Sequence, residues 1–182
     1  MIPLPSGAES ASLFQALDAA DHDTRIQWIR SLGKSEQRKL YEMSTTGSLT
    51  VADMHSEPGQ VVIHEGHNSL PAFNSFQKRV CLFEGRVQGY NEQALQWLTG
   101  PGHFLLRASE EVDGELWFDY HWSPDTVPEL FPEPKENTAG FSRFVYAYMI
   151  DVLRRASTHV TIGRAIRKGK ATENYFVLCR TP

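Results

Sequence analysis

The segment VVIHEGHNSLPAF, residues 61–73, contains residue types that could bind a metal or catalyse a reaction. His64 and His67 flank Glu65, and imidazole and carboxylate groups are ligands that Zn²⁺ prefers. His103 could complete a three-histidine set, with Glu65 as a catalytic carboxylate. Residues three apart on a strand face opposite sides, so these histidines converge only if a loop carries them. The segment also lacks the HExxH pattern of a helical zinc site. Its sequence therefore favours the alternative, a polar loop after a strand.

A second set of polar residues alternates along one face of a predicted strand: Glu115, Trp117, Asp119 and His121. A carboxylate and an imidazole two positions apart on a strand can form the pair that a general base and its orienting group require. Trp117 adds an apolar wall, as in a ligand pocket. Arg107 is a further candidate ligand contact. The hairpin register that we predict pairs it with Asp119, which is a structural cross-strand ion pair. The face is therefore either a ligand or catalytic site or an outer sheet face that other elements cover.

Three further residues are candidate ligand contacts. Tyr90 and Asn91 precede the tight turn GPG at residues 100–102, which lacks the residues of a phosphate-binding loop. Arg164 falls among apolar residues on one strand face unless Gly163 forms a bulge. Without that bulge, the arginine needs an anion beside it.

The amino-terminal part has the period of helices. Residues 10–20, 24–32 and 36–44 each place apolar side chains on one face, which predicts three short helices. None is long enough to be stable alone, so we expect them to pack against each other or against the rest of the chain.

The segment FSRFVYAYMIDVLRRAS, residues 141–157, predicts a long amphipathic helix. Its apolar residues follow the helical spacing i, i+3, i+4, i+7. They are Phe141, Phe144, Val145, Tyr148, Met149, Val152 and Leu153. A further helix is predicted after Pro71, within residues 69–83.

Strands account for most of the remaining chain. Alternating or continuous apolar runs bounded by glycine and proline predict strands at residues 60–64, 85–91, 103–108, 115–122, 159–168 and 174–180. The loop Val112-Asp113-Gly114 predicts a hairpin with glycine at positive φ. Together these elements predict an α+β fold, with an antiparallel sheet of about five to six strands and the long helix packed on it. A small helical segment, residues 1–48, would precede an α+β domain, residues 49–182.

Composition limits the class of protein. The chain has 182 residues, a net charge of −4 and two cysteines outside any CxxC motif, which favours reduced thiols in the cytoplasm. No apolar run approaches the roughly 20 residues of a membrane span, and the first residues lack the pattern of a secretory signal. Eight Lys/Arg follow residue 141, but the chain as a whole is acidic and no nucleic-acid-binding motif occurs, so nucleic acid is not the favoured partner.

The leading hypothesis is therefore a protein that binds a small, largely apolar ligand in a pocket between sheet and helix. It depends on the aromatic content, which is ten Phe, six Tyr and four Trp. A metal-assisted enzyme that uses the histidines is the first alternative. A protein-interaction or regulatory module is the second. The sequence specifies neither a cofactor nor an oligomeric state.

Overall fold

The described part of the chain folds into a closed antiparallel β-barrel of eight strands. The computed structural model describes residues 2–4, 10–44, 49–70, 74–94 and 96–182. Each strand pairs with the next along the chain, and β8 pairs with β1 to close the barrel. The strands are β1 (Val61–Asn68), β2 (Ser75–Phe83), β3 (Arg86–Glu92), β4 (Phe104–Ala108), β5 (Leu116–Asp119), β6 (Met149–Arg155), β7 (Val160–Arg167) and β8 (Lys170–Arg180).

Short helices accompany the barrel. The described residues form α1 (Ser10–Ala19), α2 (His22–Ser31), α3 (Lys34–Met43), α4 (Gln96–Thr99) and α5 (Ser142–Val145), and a 3₁₀ helix, Val51–Met54. The first three lie where the sequence predicts them. Within the described part of the chain, no helix is both long enough and apolar enough to cross a membrane.

The predicted α+β fold, with a long helix on a five- to six-stranded sheet, is wrong. Residues 141–157 form only the single turn α5, and then strand β6. Tyr148, at a φ of 57°, ends the helical path between them. On β6, Asp151 and Leu153 face the barrel interior, whereas Val152 faces an outer groove. Both faces of β6 touch apolar neighbours, so apolar residues occur at odd and at even positions along it. This distribution also satisfies the spacing of a helix, and local periodicity therefore could not distinguish a strand from a helix here.

The helix predicted after Pro71 is also wrong from residue 75 onward. Residues 71–73 lie outside the described residues, and Ser75–Phe83 is strand β2. Phe76, Val80 and Leu82 alternate along it and point inward. Phe76 and Val80 are four positions apart, a spacing that fits a strand of period two as well as a helix, whereas Phe83 faces the outer cluster.

The observed register of the β4–β5 hairpin differs from the predicted register by two residues. Arg107 lies opposite Trp117, not Asp119. The loop is longer than three residues because the Ser109 hydroxyl accepts hydrogen bonds from two backbone N–H groups within it. Gly114 has a φ of 78°, as the sequence predicts. A shift of two residues keeps every side chain on its own face, so the predicted inner face of β5 is correct.

Aromatic rings lie over glycines inside the barrel. A Cβ atom on Gly163 would lie 2.1 Å from the ring of Phe176, which occupies the paired position on β8. Phe104 covers Gly89 in the same way on the β3–β4 pair. The glycines leave room for large rings, and these rings then fill the interior.

The two ends of the barrel differ. The 3₁₀ helix plugs one end, where Met54 is fully buried within the interior cluster. The Arg180 guanidinium donates hydrogen bonds to the carbonyls of Asp53 and His55, at 2.7 and 3.0 Å. Arg155 forms an ion pair of 2.6 Å with the Asp53 carboxylate. The other end of the barrel, which we call the mouth, contains a cavity.

Two parts of the chain cover the outer wall. The helices α1–α3 pack on the outer face of β7 and β8. The acidic, proline-rich segment 123–140 lies against β2 and β3, where Phe131 contacts Cys81 and Tyr90. Both coverings bury apolar residues on the outside of the barrel, which explains why several strands are apolar on both faces.

Candidate functional site

The mouth holds a cavity of about 320 Å³ that reaches into the barrel. Its walls are mainly apolar and aromatic, and polar side chains gather at its base. Phe76, Phe176, Val145, Tyr146 and Met149 contribute to the walls. Lys78, Asn91, Tyr120 and Asp151 form the base. Grooves of similar size lie elsewhere, for example between α1 and α3, but the mouth cavity is distinguished by the buried polar network at its base.

Lys78 is the centre of this network. Its Nζ lies 2.8 Å from Asn91 Oδ1 and 3.2 Å from Asp151 Oδ2, and it also donates a short hydrogen bond to the Tyr120 hydroxyl. The side chains of Lys78 and Asp151 are only 2% and 6% exposed. Lysine and aspartate are almost never so buried unless they are paired.

The strands bring these residues together because each has an inward position near the mouth. Lys78 on β2 lies directly opposite Asn91 on β3. Asp151 lies opposite Phe118 on the β5–β6 pair, and Tyr120 follows β5 on the same inward face as Phe118. Asp151 is 73 positions from Lys78 in the sequence, so only closure of the barrel makes them neighbours.

Aromatic rings surround the Lys78 ammonium position. The Nζ lies 4.5 to 5.7 Å from the ring centroids of Phe118, Phe104, Tyr120, Phe176 and Phe76. Removal from water lowers the pKa of Lys78, and the charge and hydrogen bond of Asp151 oppose that shift without cancelling it. The site therefore favours the neutral amine more than water does.

Two stacked tyrosines complete the polar base. Tyr120 and Tyr146 lie with ring centroids 5.3 Å apart and planes 16° from parallel. Burial raises the pKa of both phenols, so both stay protonated near neutral pH. The Asn91 amide donates hydrogen bonds to Tyr120 and to the Gly102 carbonyl, at 3.1 and 3.0 Å. This network holds Tyr120 beside Lys78 and Asp151.

Of the predicted ligand contacts, Asn91 lines the mouth cavity. Tyr90 faces the outer wall and packs on Phe131, with ring centroids 4.8 Å apart. Arg164 also lies outside the cavity and pairs with Glu173 at 3.0 Å, which supplies the anion that the sequence required. A register irregularity lies between Arg164 and Ile166, two positions after Gly163, where the sequence allows a bulge.

The structure separates the three candidate metal ligands. His64 points into the barrel, where its Nε2 lies 2.9 Å from the Met54 carbonyl. His67 lies on the opposite face of β1, and His103 lies beside Phe131 under the acidic segment. The described residues include no group of three or more His, Cys, Asp or Glu side chains that could hold a metal ion. The metal role of these histidines stays a prediction.

The predicted catalytic residues also lie away from the mouth. His121 Nδ1 is 2.8 Å from Asp119 Oδ1, and Arg107 Nε is 3.0 Å from Asp119 Oδ2. Burial of Asp119 raises its pKa, but hydrogen bonds from His121 and Arg107 outweigh that effect and hold it below its usual value. Trp117 stacks on Arg107 on this outer face, with 4.6 Å between the guanidinium carbon and the ring.

Glu65 accepts a hydrogen bond of 2.8 Å from the Gln77 amide. It lies on the outer face of β1, where Arg30 approaches to 3.8 Å. Catalytic roles for Asp119, His121 and Glu65 stay predictions.

Sequence reasoning missed Lys78, Tyr120 and Asp151 as site residues. A period-two pattern over residues 75–83 would have placed Lys78 on the same face as Phe76 and Val80. An isolated lysine on an apolar strand face is a signal of a buried charge, but the helical interpretation of this segment concealed it. The helix predicted over residues 141–157 likewise concealed the inward position of Asp151 on β6.

Comparison with protein-family models, curated proteins and solved structures gives no match to this chain.

Proposed function

We propose that this protein binds a small, largely apolar ligand in the mouth of its barrel. The observation that carries the proposal is the cavity of about 320 Å³, with aromatic walls and a buried polar network at its base. Small-molecule sites typically combine an apolar concave surface with a few converging polar groups. The volume lies at the lower end of the roughly 300–1,000 Å³ that such sites occupy, which favours a compact ligand.

The polar groups at the base of the cavity determine which hydrogen-bonding groups the polar end of the ligand must carry. Lys78 offers a hydrogen-bond donor, and Asp151 offers an acceptor. A ligand with one oxygen-containing end and an apolar body satisfies both the base and the walls. A fully apolar ligand would leave the polar groups without new partners.

The rim of the mouth includes large exposed apolar residues. Phe144 and Leu70 border the cavity and are 61% and 45% exposed. Large exposed apolar residues beside a cavity are typical of an entrance for an apolar ligand. The rim therefore supports the same proposal as the walls.

A titration with the neutral fluorescent probe N-phenyl-1-naphthylamine tests the proposal. We expect saturable binding, and displacement of the probe by 1-nonanol. Val145→Trp places a large side chain in the cavity wall and should weaken binding at least tenfold. Val112→Trp is the matched control, because Val112 lies in an exposed loop of the barrel wall outside the mouth. Equal affinities for the two variants, or no saturable binding to the unchanged chain, would overturn the proposal.

A further inference from the structure

We propose that Lys78 captures an aldehyde or ketone ligand as a covalent imine. The inference rests on the proposed function, since the ligand must first occupy the mouth cavity. It assigns a chemical class to that ligand, a carbonyl compound with an apolar body.

The position of the amine supports nucleophilic attack. The Lys78 Nζ lies at the base of the cavity, within reach of the end of a bound ligand. It is enclosed by aromatic rings, and its side chain is only 2% exposed. A lysine is a nucleophile only as the neutral amine, and an apolar enclosure activates it by disfavouring the charged form.

The neighbours of Lys78 can move the protons that imine formation requires. Asp151 Oδ2 lies 3.2 Å from both the Lys78 Nζ and the Tyr120 hydroxyl. Asp151 can therefore take a proton from Lys78, and Tyr120 can donate one to the carbonyl oxygen of a ligand. Both groups are within hydrogen-bond distance of the reacting nitrogen.

The reaction balances without an oxidant or a reductant. The nitrogen lone pair forms a bond to the carbonyl carbon, while the carbonyl π electrons move to oxygen, which takes up a proton. The nitrogen gives one proton to Asp151, and the product is a carbinolamine. The hydroxyl group then accepts a second proton and leaves as water, the nitrogen lone pair forms the C=N bond, and the nitrogen loses its remaining proton. One carbonyl compound and one amine give one imine and one water.

A permanent ion pair between Lys78 and Asp151 is the competing interpretation. It uses the same contacts and predicts an inert lysine. The two interpretations therefore differ in the reactivity of Lys78 relative to other lysines in the same chain.

Reductive trapping measures that reactivity. The full chain is incubated with nonanal and sodium cyanoborohydride, which reduces an imine to a stable secondary amine, and peptide mass spectrometry locates the adduct. We expect Lys78 to be alkylated at least tenfold faster than Lys168 and Lys170, which are exposed in the β7–β8 hairpin. Alkylation of Lys78 no faster than these two lysines would overturn the inference.

A second measurement separates this inference from the proposed function. The alcohol 1-nonanol has the same chain length as nonanal but cannot form an imine, so its displacement of the fluorescent probe reports the cavity alone. Displacement without selective alkylation of Lys78 would overturn the imine and leave the proposed function standing. No displacement would count against the proposed function itself. Lys78→Met should abolish the adduct at this site. If that variant fails to fold, the comparison of Lys78 with Lys168 in the unchanged chain still tests the selective reactivity of Lys78.

Discussion

At the scale of single residues, burial of the pair of Lys78 and Asp151 is costly. Each charge loses hydration on burial, and the attraction between partners offsets this loss only when geometry and further hydrogen bonds are favourable. Asn91 and Tyr120 provide those hydrogen bonds. Packing of an apolar interior does not require such a pair, and its position at the base of the cavity supports the proposed binding of a ligand.

Removal of one partner should therefore be more harmful than removal of both. Asp151→Asn removes the carboxylate that the Lys78 amine contacts, and we expect the free energy of unfolding to fall by about 3–5 kcal/mol. The double variant Lys78→Met with Asp151→Leu should lose less than Asp151→Asn alone. Urea denaturation at pH 7 measures both values.

Asp125→Asn is the control for this substitution, because Asp125 is exposed in the acidic segment. It should change the free energy of unfolding by less than about 0.5 kcal/mol. A loss below about 1 kcal/mol for Asp151→Asn would show that the contact between Lys78 and Asp151 does not stabilise the fold.

At the scale of elements, β1 and the 3₁₀ helix plug are joined by His64. For its Nε2 to bond the Met54 carbonyl, that nitrogen must carry the proton and donate it, at 2.9 Å. Burial lowers the pKa of His64 from 6.5 to about 4, because the charged ring would lose its hydration inside the barrel. The plug is therefore held by a neutral histidine.

This neutral histidine makes the stability of the barrel depend on pH. The unfolded chain binds a proton at His64 below pH 6.5, whereas the folded chain binds it only near pH 4. The contribution of His64 is thus complete above pH 6.5 and is lost as the pH falls through 4. The full loss is about 3 kcal/mol, since each pKa unit corresponds to about 1.4 kcal/mol.

The variant His64→Gln isolates this effect, because an amide can donate to the Met54 carbonyl but does not titrate. Urea denaturation at pH 7 and at pH 4 should give the unchanged chain a loss of stability about 3 kcal/mol larger than that of the variant. Equal losses in the two proteins would show that His64 is not held neutral by the fold.

At the scale of the whole molecule, the helices α1–α3 act as part of the barrel wall. Leu40 on α3 is buried in the same cluster as Tyr175 and Val177 of β8. The Arg154 guanidinium of β6 donates a hydrogen bond of 3.1 Å to the Tyr41 carbonyl. These contacts lie across the boundary at residue 48 that we predicted between two segments of the chain.

We therefore expect the helices and the barrel to unfold together. Leu40→Ala should lower the free energy of unfolding by about 2–5 kcal/mol, through lost burial and the cavity it leaves. Hydrogen exchange followed by mass spectrometry should show equal loss of protection in α3 and in β8.

Leu130→Ala is the matched control for this prediction, because the Leu130 side chain is 79% exposed. The same chemical change there should leave protection nearly unaltered. A loss confined to α1–α3 after Leu40→Ala would instead support an independent helical segment.

Sequence patterns alone determined the elements whose signals are local. The three amino-terminal helices and the inner face of β5 follow from the spacing of apolar residues, and Gly114 at positive φ follows from the chemistry of the turn. Candidate residues were found where polar side chains cluster in the sequence, as with Asp119 and His121, which do contact each other.

Only the tertiary structure decided the rest. β6 is a strand because β5 and β7 pair with both of its edges, and its apolar residues cover two faces in a way that also fits a helix. Likewise, Lys78, Asn91, Tyr120 and Asp151 come from four regions of the chain and meet only when the barrel closes. Local periodicity depends on neighbours in the sequence, whereas closure and burial depend on residues far apart, and for that reason the mouth cavity could not be predicted from the sequence.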